Sequence, residues 1–441
     1  MAKRDPGPVS FQGRELHFIA IGGAGMSGLA FVCHTLGARV TGTDRAESAY
    51  FKRVVDAGIE ARLGHDPEAV PADAEVVVSS AIPDDNPELE RARERGQRIL
   101  HRGELLAEVC SRKRLIAVAG AHGKTTTAGM LAWIGGRDVA YLLGGELPGP
   151  EGGPPVNAHW APDAEWVVVE ADESDASFLE LRPEIAVVTN VELDHHARWS
   201  SRADLVDAFR SFAEPASSLV LGADPSLEAL IASQRRVVRF DAASPGPTLE
   251  LAVPGEHNLL NARAAFAAAQ LAGLGDDAEI ADRVSGFPGM LRRLERKGAR
   301  DGAEIYDDYA HHPTEVAASL AALRGLGPRR LIVVFQPHLY SRTKALAERF
   351  GRALSAADEV AVLDVYPARE EPVGELAGVS GLDVARATAD RADGKPVWWL
   401  PDRDRAVDAL GGRLRDGDLL VTIGAGDVFL LAESLVEKPT R

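Results

Sequence analysis

An apolar run at residues 115–119 ends in GAHGKTTT over residues 120–127, and this junction constrains the fold more than any other stretch of the chain. Strand, glycine turn and Lys-Thr opening a helix is the order of a phosphate cradle. Glycines let successive backbone N–H groups curl around an anion, and the helix N-terminus adds partial positive charge. In such a loop the lysine, Lys124, reaches β- and γ-phosphates while the Thr125 hydroxyl ligates a magnesium ion. The spacing is shorter than the usual GxxxxGK, because Val118 stands where its first glycine would fall. A bare GK[ST] tripeptide is common by chance; the strand before it and the helix after it give this one meaning.

At 441 residues the chain has room for about three domains. The formal charge of −17 argues against general binding of nucleic acid or anionic membranes, although a local glycine loop with a few Lys or Arg still accepts an anionic ligand. The two cysteines, Cys33 and Cys110, have no CxxC spacing, which suits a reducing compartment and excludes a cysteine framework. The start, MAKRDPGPVSFQGRE, has no apolar core behind its basic residues, and no stretch of about 18 apolar residues follows. The expectation is a cytoplasmic protein without membrane insertion, monomeric or homodimeric.

Alternating strand and helix patterns predict an α/β protein of three domains. The N-terminal domain (1–111) is Rossmann-like, the central one (112–297) carries the ATP-type P-loop, and the C-terminal one (298–441) is again Rossmann-like. In the first, a strand at 17–21 runs into Gly22-Gly23-Ala24-Gly25-Met26-Ser27-Gly28, a helix is expected from Leu29, and a second strand ends at Asp44. That order is the dinucleotide-type fingerprint, with the acid placed to meet a ribose hydroxyl. A lone GxGxxG is weak evidence, and a nicotinamide dehydrogenase would account for this block but leave the phosphate loop and the third block without purpose. Strands at 165–169, 185–189, 305–309, 331–335 and 419–423 each end in a polar cluster, which is where ligands gather in parallel sheets.

Several clusters admit both a functional and a bland reading. Glu170, just past an apolar strand, is positioned to share a metal with Thr125; a solvated acidic loop over 170–175 is the alternative. His195, between Asp194 and His196, reads on spacing alone as a surface polar group. Tyr309, His311 and His312 precede a proline that opens a helix, and His338 and Arg342 follow a strand; such groups serve as proton acceptors or anion contacts, or simply as structure. Arg292 and Arg293 offer charge for a transferring phosphoryl group or for surface ion pairs.

Taken together, HFIAIGGAGMSGLA, AGAHGKTTT, VVVEADESDASFLELRPEIAVVTNVELDH, PGEHNLLNA, DDYAHHPTEV, FQPHLYSRT and DVYPAREEP, in that order, resemble the Mur ligases over nearly the whole chain. The resemblance implies an ATP-dependent amide ligase that activates the lactyl carboxylate of UDP-N-acetylmuramate as an acyl phosphate and joins it to L-alanine. It implies ATP bound by Gly120, Ala121, His122, Gly123, Lys124, Thr125, Thr126, His257, Asn258, Asn261 and Asp308. The UDP-sugar falls to Gly22, Gly23, Ala24, Gly25, Met26, Ser27 and Asp44. Mg²⁺ (or Mn²⁺) is held by Thr125, Glu170 and His195; Tyr309, His311, His338 and Arg342 lie on the substrate and amino-acid side. Lys124, Glu170, His195, Arg293 and His338 are the expected catalytic set. This chain departs from the family pattern in having Ala121 in place of threonine, Leu291 and Leu294 around the arginine pair, a short segment 134–165, and His196-Ala-Arg-Trp after His195. A tripeptide-recycling ligase and a non-catalytic UDP-sugar sensor remain as alternatives.

Overall fold

The protein is described by a computed structural model covering residues 10–192, 199, 201–231, 235–244, 246–368 and 370–436. The chain divides into two compact units: Met1–Glu250 with Leu259–Phe287, and Leu251–Asn258 with Pro288–Arg441. Among the described residues, eighteen strands form three sheets.

The first unit holds two of them. Strands β1 (Glu15–Ile19), β2 (Arg39–Asp44), β3 (Glu60–Leu63), β4 (Glu75–Val78) and β5 (Ile99–His101) form a wholly parallel sheet in the order β3-β2-β1-β4-β5. The second sheet contains β6 (Arg114–Ala119), β7 (Ala140–Leu147), β8 (Val156–His159), β9 (Trp166–Glu170), β10 (Ile185–Val188), β11 (Ser218–Leu221) and β12 (Arg236–Arg239). Its order is β12-β11-β10-β6-β9-β7-β8, and β7 with β8 is its antiparallel pair. Placing β6 centrally, between β10 and β9, puts the loop after it among the loops that follow both neighbours. One continuous apolar core, including Phe18, Leu29, Leu105, Val167, Val188 and Phe209, serves both sheets.

The glycine-rich stretch after β1 becomes helical sooner than its composition suggests. The helix spans Ala24–Thr35, not a stretch beginning at Leu29. Gly28 therefore lies inside it, where an added Cβ would come within 3.2 Å of Asn157 Nδ2 and Ala158 Cβ on β8. The lack of a side chain lets the helix sit close against the neighbouring sheet, and that packing outweighs glycine's poor helix propensity.

The second unit holds β13 (Glu295–Arg300), β14 (Ala303–Asp308), β15 (Arg330–Phe335), β16 (Glu359–Val362), β17 (Val397–Trp399) and β18 (Asp418–Ile423), ordered β13-β14-β18-β15-β16-β17. All neighbours are parallel except β13 with β14. Along β15, Leu331, Val333 and Phe335 enter one core and Ile332 and Val334 the other. Both faces are covered, which is why this strand reads as an unbroken apolar run.

Candidate active site

In the first unit the phosphate loop leaves β6 and enters the helix Lys124–Gly135. Gly120 and Gly123 have φ of +132° and +83°. Side chains there would also overlap Thr189 Oγ1 and Asn261 Oδ1, respectively. The backbone around the loop is fastened from β10's end: Asn190 Oδ1 accepts from His122 N at 3.0 Å, while Thr189 Oγ1 and Asn190 Nδ2 donate to the His122 carbonyl at 2.6 and 3.0 Å. Gly123 supplies no side-chain cap to the helix, so its first N–H groups keep their capacity for an anion.

Lys124 is turned back over this loop. Its Nζ donates to the Gly120 carbonyl at 2.6 Å and lies 2.9 Å from Glu173 Oε2. Burial disfavours the ammonium, but the carboxylates of Glu173, Asp172 and Glu170 outweigh it and hold the group above the ordinary lysine range. The Thr125 hydroxyl donates to Glu170 Oε1 at 2.9 Å, and Glu170 Oε2 accepts from Gly144 N at 3.0 Å. Hydroxyl and carboxylate thus stand together at the mouth of the cradle, the pair of hard oxygen donors that magnesium takes. His122 Nε2 is 3.0 Å from Glu192 Oε2. The expected histidine ligand, His195, lies outside the described residues.

At the ends of the first sheet's strands, Asp44 Oδ2 accepts from Gly22 N at 2.9 Å, so the acid at the close of β2 braces the glycine turn. Ala24 and Ser27 are drawn toward β8 instead: Asn157 Nδ2 donates to the Ala24 carbonyl at 2.7 Å and to Ser27 Oγ at 3.2 Å. Met26 is buried in the core. Gly23 caps the helix and Gly25 lies in its first turn, where the Arg102 guanidinium stands 3.3 Å from where a Gly25 Cβ would be. Arg102 itself reaches Asp175 Oδ2 at 3.5 Å.

The second unit gathers the other candidates around the ends of β14 and β15. Arg292 and Arg293 lie over the Tyr309 ring, their guanidinium carbons 4.9 and 5.3 Å from its centroid. His311 Nδ1 is 3.0 Å from the Tyr309 carbonyl and its ring is 6.2 Å from that of His338. His338 stacks on Tyr366 at 5.8 Å and meets Arg342 Nη1 at 3.4 Å. Burial lowers the His311 pKa, with Glu315 opposing and Arg342 assisting. His257 is lowered too, by burial and then by Arg293. Both imidazoles are therefore biased towards the neutral form.

Asp308 is committed to the fold. Its carboxylate accepts from Leu294 N at 3.1 Å, Ala310 N at 2.7 Å and the Ser319 hydroxyl at 3.1 Å. Burial raises it from 3.8 to about 6, with Arg293 and the Ala310 N–H opposing. Asn258 likewise donates to the Pro254 carbonyl at 2.7 Å. Sequence reasoning gave little weight to Glu173, though it stands in the acidic run, and passed over Glu315, although the HPTE string spells a capping box: Glu315 Oε2 accepts from the N–H groups of His311 and His312 at 3.0 and 3.2 Å. Asn157 carries no local signal, and Tyr366, although it stands within DVYPAREEP, is not marked by that string as a partner of His338.

Residues 15–114 match the family described as "Mur ligase family, catalytic domain", residues 118–248 the "Mur ligase middle domain", and residues 292–426 the "Mur ligase, glutamate ligase domain". The UDP-N-acetylmuramate–L-alanine ligase of Kineococcus radiotolerans is 44% identical, with 94% of each chain covered. That of Streptomyces coelicolor is 41% identical over 96% of this chain and 97% of its own. Among solved structures, the UDP-N-acetylmuramate-alanine ligase of Thermotoga maritima superposes with a TM-score of 0.81 at 25% identity, covering 96% of this chain and 98% of that one. Three matched domains in order, with relatives alike from end to end, mean that the chain belongs to the Mur ligase family.

Proposed function

We propose that this protein joins L-alanine to the lactyl carboxylate of UDP-N-acetylmuramate, cleaving ATP to ADP and phosphate, as the first step of a peptidoglycan stem peptide made in the cytoplasm. The observation that carries the reading is the end-to-end likeness to relatives named for that ligation. The phosphate loop supplies the ATP half of it.

The chemistry explains why a phosphate loop is needed. A carboxylate is a poor acyl donor because oxide is a poor leaving group. Its oxygen attacks the γ-phosphorus, the bond from that phosphorus to the β-phosphate oxygen breaks, and ADP departs. The alanine amine then attacks the acyl carbon; the carbon–oxygen bond to phosphate breaks, and the nitrogen sheds its proton as the amide forms. Lys124 balances charge on the β- and γ-phosphates, with N–H groups of residues 120–126 around them. Thr125 and Glu170, joined by a 2.9 Å hydrogen bond, are the donors for Mg²⁺ or Mn²⁺, with His195 as a further ligand. The bound ion would supply charge neutralisation at the phosphate oxygens. Arg293 stabilises the transferring phosphoryl group.

His257, Asn258 and Asn261 are assigned to the adenine side and Asp308 to the nucleotide through the loop it braces. Gly22, Gly23, Ala24, Gly25, Met26, Ser27 and Asp44 are assigned to the UDP-sugar. Tyr309, His311, His338 and Arg342 receive the amino acid, Arg342 pairing with its carboxylate. The three segments 1–111, 112–297 and 298–441 divide these tasks.

Phosphate release from ATP and Mg²⁺ with UDP-N-acetylmuramate, adding single amino acids and the stem tripeptide in turn, tests the reading. Release and an amide product with L-alanine are expected. A response to the tripeptide alone would reassign the protein to recycling, and nucleotide binding without turnover would make it a sensor.

A further inference from the structure

The buried ion pair between Lys124 and Glu173 is unaccounted for by the ligase chemistry. Both side chains are enclosed, with 12% and 4% of their surfaces exposed, and the ammonium lies 2.9 Å from Oε2 and 3.2 Å from Oε1. Another of its protons is taken by the Gly120 carbonyl at 2.6 Å. An ammonium has three protons to give, so little donor capacity is left for a phosphate while this arrangement holds. Glu173 is itself fixed, its carbonyl accepting from Trp199 Nε1 at 3.0 Å. Its neighbour Asp172 accepts from Ser174 N at 3.0 Å and Ser174 Oγ at 2.9 Å.

We propose that Glu173 is a positioning residue that stands in for the nucleotide's phosphate oxygens, holding Lys124 inside the loop until a nucleotide displaces it. The inference rests on reading residues 120–127 as the nucleotide loop. An internal anion that competes for the lysine lowers apparent nucleotide affinity by the fraction of molecules in which the lysine is free. It also keeps the buried ammonium matched when no ligand is present, since breaking a buried pair leaves an uncompensated charge.

The test is the affinity of the full chain for ADP and for inorganic tripolyphosphate, measured calorimetrically without metal. Glu173→Gln is expected to bind both about tenfold more tightly, whereas Asp172→Asn, which removes a neighbouring charge that acts on the lysine only through space, should change affinity less than threefold. In a Lys124→Gln background the Glu173→Gln gain should vanish, as a double-mutant cycle requires of a direct pair. Glu173→Asp, retaining charge on a shorter arm, should fall between. Unchanged or weaker binding by Glu173→Gln, an equal gain in Asp172→Asn, or a gain that survives loss of Lys124 would each overturn the proposal. If the native chain binds neither ligand, the nucleotide-loop reading fails instead.

Discussion

Arg292 donates from Nε to Asp307 Oδ2 at 3.1 Å, and that carboxylate is wholly enclosed. The same guanidinium reaches the Gly424 carbonyl at 2.8 Å and lies over the Phe429 ring. Arg292 therefore ties the ends of β14 and β18 together, while among the described residues its neighbour Arg293 makes a single, 3.9 Å ion pair, with Glu315. The two arginines should separate by experiment. Arg292→Ala strands a buried acid and should cost about 3–5 kcal/mol in denaturant unfolding of the second unit. Arg293→Ala should change stability by less than about 1 kcal/mol yet lower kcat by roughly 10²–10³. Equal losses of stability in both variants would refute the division of labour.

Gly123→Ala tests the cradle directly. The backbone there has φ of +83°, and a methyl group would press on Asn261 Oδ1. A left-handed alanine costs about 1–2 kcal/mol before the clash is counted. Nucleotide affinity should fall at least about tenfold, the equivalent of 1.4 kcal/mol, with far-ultraviolet circular dichroism unchanged. Retention of native affinity would show that the loop tolerates a different shape.

Asp308 gives a pH signature. Burial lifts it from 3.8 to about 6, so between those values the folded chain binds more protons than the unfolded one. Its contribution to stability is therefore largest at low pH and declines as pH rises through 6. Relative to Asp308→Asn, which does not titrate, the native chain should lose about 2 kcal/mol between pH 4.5 and 7.5. Urea unfolding of both chains at the two pH values measures it, and an advantage that grows with pH would contradict the assignment.

The parts of the fold legible in the sequence were those whose energetics are local or two-sided. Strands such as β10 and β15 announce themselves because burial on both faces demands apolar residues throughout. β3, β12 and β13 were not picked out from the sequence, since exposed or half-exposed strands such as Arg236–Arg239 owe their existence to a neighbour's hydrogen bonds. The helix starting at Ala24 was hidden because glycines read as a turn, and only the approach of Asn157 and Ala158 explains them. At the site, Lys124, Thr125 and Glu170 were readable from chemistry at strand ends. Asn157 at the glycine helix was not, because it belongs to no motif and tertiary packing brings it into place; Tyr366 stands within DVYPAREEP, but its stacking on His338 is likewise a product of tertiary packing.

The three sheets end on β3, β5, β8, β12, β13 and β17, strands three to six residues long. Three of them carry charge along their length: Glu60 and Arg62 on β3, Arg236 and Arg239 on β12, and Glu295, Arg296, Lys297 and Arg300 on β13. A growing aggregate recruits native molecules by adding strands to long, uncharged margins, and these margins are short or costly to desolvate. The sequences best able to propagate cross-β stacking, such as Ile185–Val188, lie in sheet interiors. Aggregation of this enzyme should therefore follow its unfolding and stay nearly insensitive to the concentration of folded molecules.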